Sequence, residues 1–190
     1  MEKLSTSELT DKIRECAQKM EHRGISALEE LYDLTASRLL RYAYSLTRNR
    51  EDAEDAVQTA MIRLALKPKL LKNAEYPWSY FLRIVRNESI NISRKKIPMQ
   101  LLTSIKEFGK DEPARLEADH IKFHVSSALD KLPPVQSEVV ILKVWENMTF
   151  AEIAEVLGQS PNTIASRYRY AIEKLSQYLQ PFCEEVQYES

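Results

Sequence analysis

Apolar residues recur three and four apart along almost the whole chain, the spacing of one helix face, and nowhere alternate as a half-buried strand requires. Leu9, Ile13, Cys16 and Met20 place a first helix ending near Gly24. Leu28, Leu31, Leu34 and Leu39 place a second from about Ser26 to Thr47. Ala53, Ala56, Val57, Ala60, Met61 and Leu64 share one face of a third. Its first turn holds Glu51, Asp52, Glu54 and Asp55, where the positive end of the helix dipole favours acids. Pro68 and Pro77 bracket a loop, and a fourth helix runs from about Trp78 to Lys95. From Ile97 to about Glu112 the periodicity weakens between Pro98, Gly109 and Pro113, which reads as a linker. Helices resume near Ala114 and continue to Leu132, where "LPP" breaks the chain and sets Pro134 in a helix first turn.

The expected fold is therefore all-α: two small helical domains joined by a flexible linker, the C-terminal one a helix-turn-helix. Residues 1–24 form a helical extension, 25–96 the first domain, 97–124 the linker, 125–180 the second domain and 181–190 an acidic tail. A chain of 190 residues has room for this, and its three glycines suit a protein with few tight turns. A net charge of -1 excludes a uniformly basic nucleic-acid coat, so any DNA contact comes from local patches. Cys16 and Cys183 stand near opposite ends with no metal or redox spacing, as expected of two reduced thiols. The first residues lack the apolar core of a signal peptide, and no apolar run approaches ~18 residues. A cytoplasmic protein without membrane insertion is expected.

The stretch "MTFAEIAEVLGQSPNTIASRYRYAIEKL" is the most specific. Thr149 and Glu152 have capping-box spacing. Gly158 sits where a helix end favours positive φ. Ser160 then caps a second helix, with Pro161 at its first position. A short helix, a three-residue turn and a longer helix make the helix-turn-helix pattern. Along the longer helix, Ile164, Tyr168, Ala171, Ile172 and Leu175 fall on one face. Asn162, Ser166, Arg169 and Tyr170 fall on the other, with Thr163 at its edge and Arg167 on the flank. Short polar and arginine side chains near a helix start can reach base edges in the major groove, and a flanking arginine suits a phosphate.

"RIVRNESINISRKK" carries a second polar stripe. Trp78, Phe81, Leu82, Val85 and Ile92 cluster on one side of its helix, and Tyr80, Arg83, Asn87, Asn91 and Arg94 on the other. An aromatic ring, two amides and two guanidiniums can stack on an unpaired base, bond its edge and hold the adjacent phosphates. Lys95 and Lys96 extend the phosphate-binding end.

Taken together, these blocks resemble bacterial RNA polymerase sigma factors of the extracytoplasmic function (ECF) group. "LTRNREDAEDAVQTAMIRL" resembles the acidic helix that docks on the clamp helices of core polymerase, and "YFLRIVRNESINISRKK" the helix that opens and reads the minus-ten element. The segment from Ala128 to Leu175 resembles the domain that reads the minus-thirty-five element. The resemblance runs from about Ile25 to Leu179, the linker unmatched in detail. It implies that Asn87 and Asn91 capture a flipped minus-ten base, whose edge an amide can both donate to and accept from. It implies polymerase docking by Asp55 and Gln58, within a helix that also presents Asp52, Thr59 and Arg63. It places Ser166, Arg167 and Arg169 at recognition-helix positions. Tyr80 stands where the family usually has tryptophan, Asn91 where aspartate is common, and Ala165 and Tyr170 where arginines are frequent. The recognition helix is thus less basic than usual.

The partners implied are core RNA polymerase and promoter DNA. The extension to Gly24 and the tail lie outside the resemblance and are open as contacts for an anti-sigma factor, usual in the family. His22, His120 and His124 form no nucleophile or metal arrangement, and no glycine-rich phosphate loop exists. No enzyme, cofactor or metal is expected. Two rivals remain: a conventional dimeric helix-turn-helix regulator of duplex DNA, and a helical adaptor that binds only protein.

Overall fold

The structure, a computed structural model, describes residues 6–23, 25–102 and 118–188. Among them the elements are α1 (Thr6–Arg23), α2 (Ile25–Thr47), α3 (Arg50–Leu66), α4 (Pro68–Lys72), α5 (Pro77–Leu102), α6 (Ala118–Asp130), α7 (Pro134–Val144), α8 (Phe150–Leu157) and α9 (Pro161–Tyr188). No strand appears among the described residues, and no helix there is long and apolar enough to cross a membrane.

Helices α2, α3 and α5 pack on one another, and α1 lies across α2 and α4. The apolar faces read from the sequence are the buried ones: Leu9, Ile13, Cys16 and Met20 on α1, the six residues from Ala53 to Leu64 on α3, and Trp78, Phe81, Leu82 and Val85 on α5, where Ile92 is half-buried against the same core. Asn49 starts α3 by accepting the Asp52 N–H at 2.9 Å through its side chain. In the second domain α7 and α8 both pack on α9, and α6 packs on α9 and α7. Ala171 and Leu175 are buried there with Ala128, Leu129, Leu132 and Val140. Ile172 lies at the margin of that face and is exposed, so the apolar stripe of α9 is narrower than its sequence suggests.

The two domains share one core. Val139, Leu142, Met148, Ile153 and Val156 of the second domain belong to the same buried cluster as Trp78, Phe81 and Leu39 of the first. The joint runs along α5 against α8 and α2 against α7.

Four features differ from the sequence reading. The loop between Pro68 and Pro77 contains α4, which uses Pro68 as its first residue. Helix α5 passes Pro98 and ends at Leu102, six residues into the assigned linker. Apolar periodicity reports which face is buried, and its weakening does not by itself stop backbone hydrogen bonding. Helix α6 begins at Ala118, so residues 118–124 are helical too. The expected helix start near Ala114 lies outside the described residues. Helix α9 continues through Pro181 into the acidic tail as far as Tyr188.

Two expected outcomes follow from local geometry. Gly158 ends α8 at φ 63°, and a Cβ built there meets nothing within 4 Å. Gly158→Ala therefore carries only the left-handed backbone penalty, about 1–2 kcal/mol in denaturant unfolding, with no packing loss added. Burial pushes the Cys16 thiol up to about 11, with the Glu30 charge adding to it. The folded chain then holds this proton more tightly than the unfolded chain does. Its stabilising contribution is complete below about pH 8.5, the ordinary thiol value, and is lost as pH rises towards 11. In a Cys183→Ser background, native protein at pH 8 should resist alkylation at Cys16 and react once unfolded.

Candidate nucleic-acid interface

The helix-turn-helix forms as its caps require. Thr149 Oγ1 accepts the Glu152 N–H at 3.2 Å, and Glu152 Oε2 accepts the Thr149 N–H at 2.7 Å, which completes the capping box. Ser160 Oγ accepts the Thr163 N–H at 3.1 Å and lies 2.8 Å from Thr163 Oγ1. Asn162, Ser166, Arg169 and Tyr170 are exposed on α9, while Thr163 and Arg167 are half-buried. The Arg169 guanidinium sits 5.1 Å from the centre of the Tyr170 ring, so the two side chains lie together on the exposed face. Tyr168 turns inward and packs against Phe150 of α8 at 5.7 Å between ring centres, fixing the angle between the two helices.

On α5, Arg83, Asn87, Asn91, Arg94 and Lys95 are all exposed and follow one stripe. Tyr80, at the start of that stripe, is half-buried and packs against the shared core. Behind the stripe, Ser89 Oγ donates to the Val85 carbonyl at 2.9 Å and Ser93 Oγ to the Ser89 carbonyl at 3.0 Å. These internal bonds satisfy the hydroxyls in the helix itself, which leaves the polar stripe turned away from the core.

On α3, Asp55, Gln58 and Arg63 are exposed and Thr59 is half-buried, whereas Asp52 is nearly enclosed at 7% exposure. Arg63 Nη1 lies 2.5 Å from Glu88 Oε1 of α5, so this arginine also braces α3 against α5. Two apolar residues share this surface: Ile62 is 59% exposed and Leu66 76%. At about 100° per residue, Asp55, Thr59, Ile62 and Leu66 fall within a narrow stripe. Apolar side chains displayed in register on a surface point to a partner. Sequence reasoning passed over both, although their positions off the core face were visible in the spacing.

It also passed over Glu138 and Glu146. Glu146, 1% exposed, accepts Arg38 Nε at 2.7 Å on one carboxylate oxygen and Arg41 Nη2 at 2.6 Å on the other. Glu138, 5% exposed, accepts the Tyr42 hydroxyl at 2.8 Å and Arg86 Nε at 2.8 Å. Burial and the adjacent Glu138 charge push the Tyr42 phenol well above its ordinary range, so it stays protonated and donates. Burial works against the charge of Arg86, but its hydrogen bond to Glu138 and the carboxylate's charge outweigh this, and its pKa rises. A glutamate within the apolar run "SEVVIL" was the available signal.

His124, at the end of the assigned linker, is half-buried in α6 and stacks on Phe182 of α9 at 4.1 Å. No group of histidine, cysteine and acidic residues among the described residues could hold a metal ion.

Two family models match this chain, sigma-70 region 2 over residues 31–96 and sigma-70 region 4 over residues 124–175. Among curated relatives, the ECF RNA polymerase sigma factor SigL of Mycobacterium tuberculosis is 28% identical over 157 residues, covering 80% of this chain and 89% of that one. The chain is an ECF sigma factor. The RNA polymerase sigma factor SigV of Bacillus subtilis is 29% identical over 136 residues, covering 70% of this chain and 79% of the relative. Two solved structures share the fold of this sigma factor. The factor RpoE of Bartonella quintana, in complex with the anti-sigma factor NepR, superposes with a TM-score of 0.66 at 23% identity, covering 82% of this chain and 98% of that one. CnrH, in complex with the cytosolic domain of CnrY, gives 0.66 at 22% identity, covering 90% and 98%.

Proposed function

We propose a division of labour by which this sigma factor directs transcription initiation. Residues 25–96 bind core RNA polymerase and the minus-ten element, and residues 125–180 place the complex on the minus-thirty-five element. The protein works as a recognition subunit in the cytoplasm and carries out no chemistry of its own. Promoter DNA and core polymerase are its working partners, and an anti-sigma factor is a further partner, as NepR is for RpoE.

Docking to polymerase uses the surface of α3. Asp55, Gln58, Thr59 and Arg63 supply the polar contacts, with Asp52 shaping the start of the helix from within. Ile62 and Leu66 supply the apolar contact that an interface core needs. In minus-ten reading, Tyr80 stacks on a base, Asn87 and Asn91 bond the edge of a base taken out of the stack, and Arg83, Arg94 and Lys95 hold the phosphates. In minus-thirty-five reading, Asn162, Thr163, Ser166 and Arg169 face the major groove, with Arg167 and Tyr170 at its walls. The observation that carries this reading is the exposed stripe from Arg83 to Lys95 on a helix whose opposite face is buried. A duplex-only regulator has no use for such a stripe, and both matched regions count against that alternative.

Run-off transcription with purified core polymerase tests the stripe. Asn87→Ala should lose ~10-fold or more on a duplex promoter, the scale of one base contact at 1–3 kcal/mol. It should lose much less on a promoter pre-melted at the minus-ten element, where the base is already free. Equal loss on both templates would remove Asn87 from base capture.

Leu66→Asp tests the docking surface. At 76% exposure the change should alter stability by no more than ~0.5 kcal/mol. Core polymerase pull-down should nonetheless fall ~10-fold or more, the loss of a centrally placed apolar contact. Unchanged pull-down would move the polymerase surface elsewhere.

A further inference from the structure

Glu138 and Glu146 sit in the second domain, yet their side-chain partners sit in the first. Glu138 reaches Tyr42 of α2 and Arg86 of α5. Glu146 reaches Arg38 and Arg41, one turn apart on α2. Arg38 also donates to the Glu146 carbonyl at 3.2 Å and lies over the Trp78 ring at 5.1 Å. From α1, the Thr6 hydroxyl lies 3.2 Å from the same carbonyl. Asn147, next in the loop, takes a left-handed φ of 52°.

This joint also brings α8 onto α5. Glu155 of α8 lines one small cavity with Tyr76, Tyr80 and Arg83, the start of the exposed stripe. The stripe is thus open from Arg83 onward and half-buried only at Tyr80, its first member.

A simple length decides whether this arrangement can be the working one. Elements centred ten and thirty-five base pairs upstream are ~25 base pairs apart, or ~85 Å of duplex at ~3.4 Å each. A compact chain of this length has a radius of gyration near ~16 Å. It cannot touch both elements with its domains in contact. The segment between Leu102 and Ala118 can reach ~55 Å when fully extended, enough to let them part.

We infer that Glu138 and Glu146 form a two-point ionic latch that holds the free chain closed, with α8 against the start of the minus-ten stripe, and that core polymerase must open it. The consequence for transcription rests on the reading given above; the latch itself does not. The chemistry suits a latch. Removing one partner of a buried pair leaves an uncompensated charge, so closure demands one geometry. Parting both partners returns every charge to water, so opening recovers much of the desolvation cost. An apolar joint of equal area recovers nothing on opening.

Glu138→Gln combined with Glu146→Gln keeps shape and removes both charges. Arg38→Gln combined with Arg41→Gln and Arg86→Gln removes the guanidinium side of both contacts. Small-angle scattering of the full chain should give ~16 Å for the wild type. Both variants should be larger by ~3 Å or more, with helical circular dichroism unchanged. A wild type already expanded, or variants of native helicity at the wild-type radius, overturns the latch. Polymerase affinity is the second readout. If 99% of the free chain is closed, opening removes a ~100-fold penalty, so both variants should bind core polymerase at least ~10-fold tighter. Expansion without tighter binding overturns the claim that closure masks the chain from polymerase. Expansion with no polymerase binding by any form leaves the latch standing and overturns the transcription reading instead.

Discussion

Two carboxylates with almost no access to water organise this molecule. Burying Glu138 and Glu146 is tolerable only because each meets guanidinium nitrogens at hydrogen-bond distance. Those arginines are anchored in turn: Arg38 against Trp78, Arg86 on the helix that carries the polar stripe. Apolar contact between α5 and α8 is non-directional and would tolerate sliding. The ionic contacts do not, because a shift of one or two ångströms strands a buried charge. The charge pairs therefore set the relative placement of the domains, and the shared apolar cluster fills the space between them.

Much of this was legible in the sequence, and the legible part has a common physical origin. Helix faces are read from spacing: the buried faces of α1 and α3 matched residue by residue, and that of α5 at every position but Ile92, which is half-buried. Caps act over three or four residues, so Thr149 with Glu152, Gly158, and Ser160 with Pro161 were readable as local chemistry. The stripe from Arg83 to Lys95 was readable because a helix with one buried face must display the other. What escaped was either long-range or off-pattern. The residues joined by the latch are between 52 and 108 positions apart, and no local rule links Arg41 to Glu146. Ile62 and Leu66 were visible as apolar but sat outside the core face, where attention to the core discards them. The passage of α5 through Pro98 escaped because a proline and a weakened apolar period both signal a break, while the helical backbone continues past them.

Charge tells a consistent story at a larger scale. A net charge of -1 gives the free chain little general attraction for DNA, since phosphate neutralisation supplies most non-specific affinity. The cations that matter are concentrated at the end of α5 and on one face of α9. Affinity is thereby left to the assembly with polymerase, and the chain itself contributes position and base choice.

The two DNA-facing surfaces also differ in what they need. The α9 face reads duplex edges by hydrogen bonding, which is selective by construction, and it stays exposed in the closed arrangement. The α5 stripe includes an aromatic ring, and stacking accepts every base, because every base has a π-face. Left open, such a surface would engage any single strand. In the closed chain it is Tyr80, the stacking residue, that is half-buried beside the partner domain, while the amides further along α5 remain exposed. A closed geometry that covers the least selective group and spares the most selective ones is what a promoter reader needs before it meets polymerase.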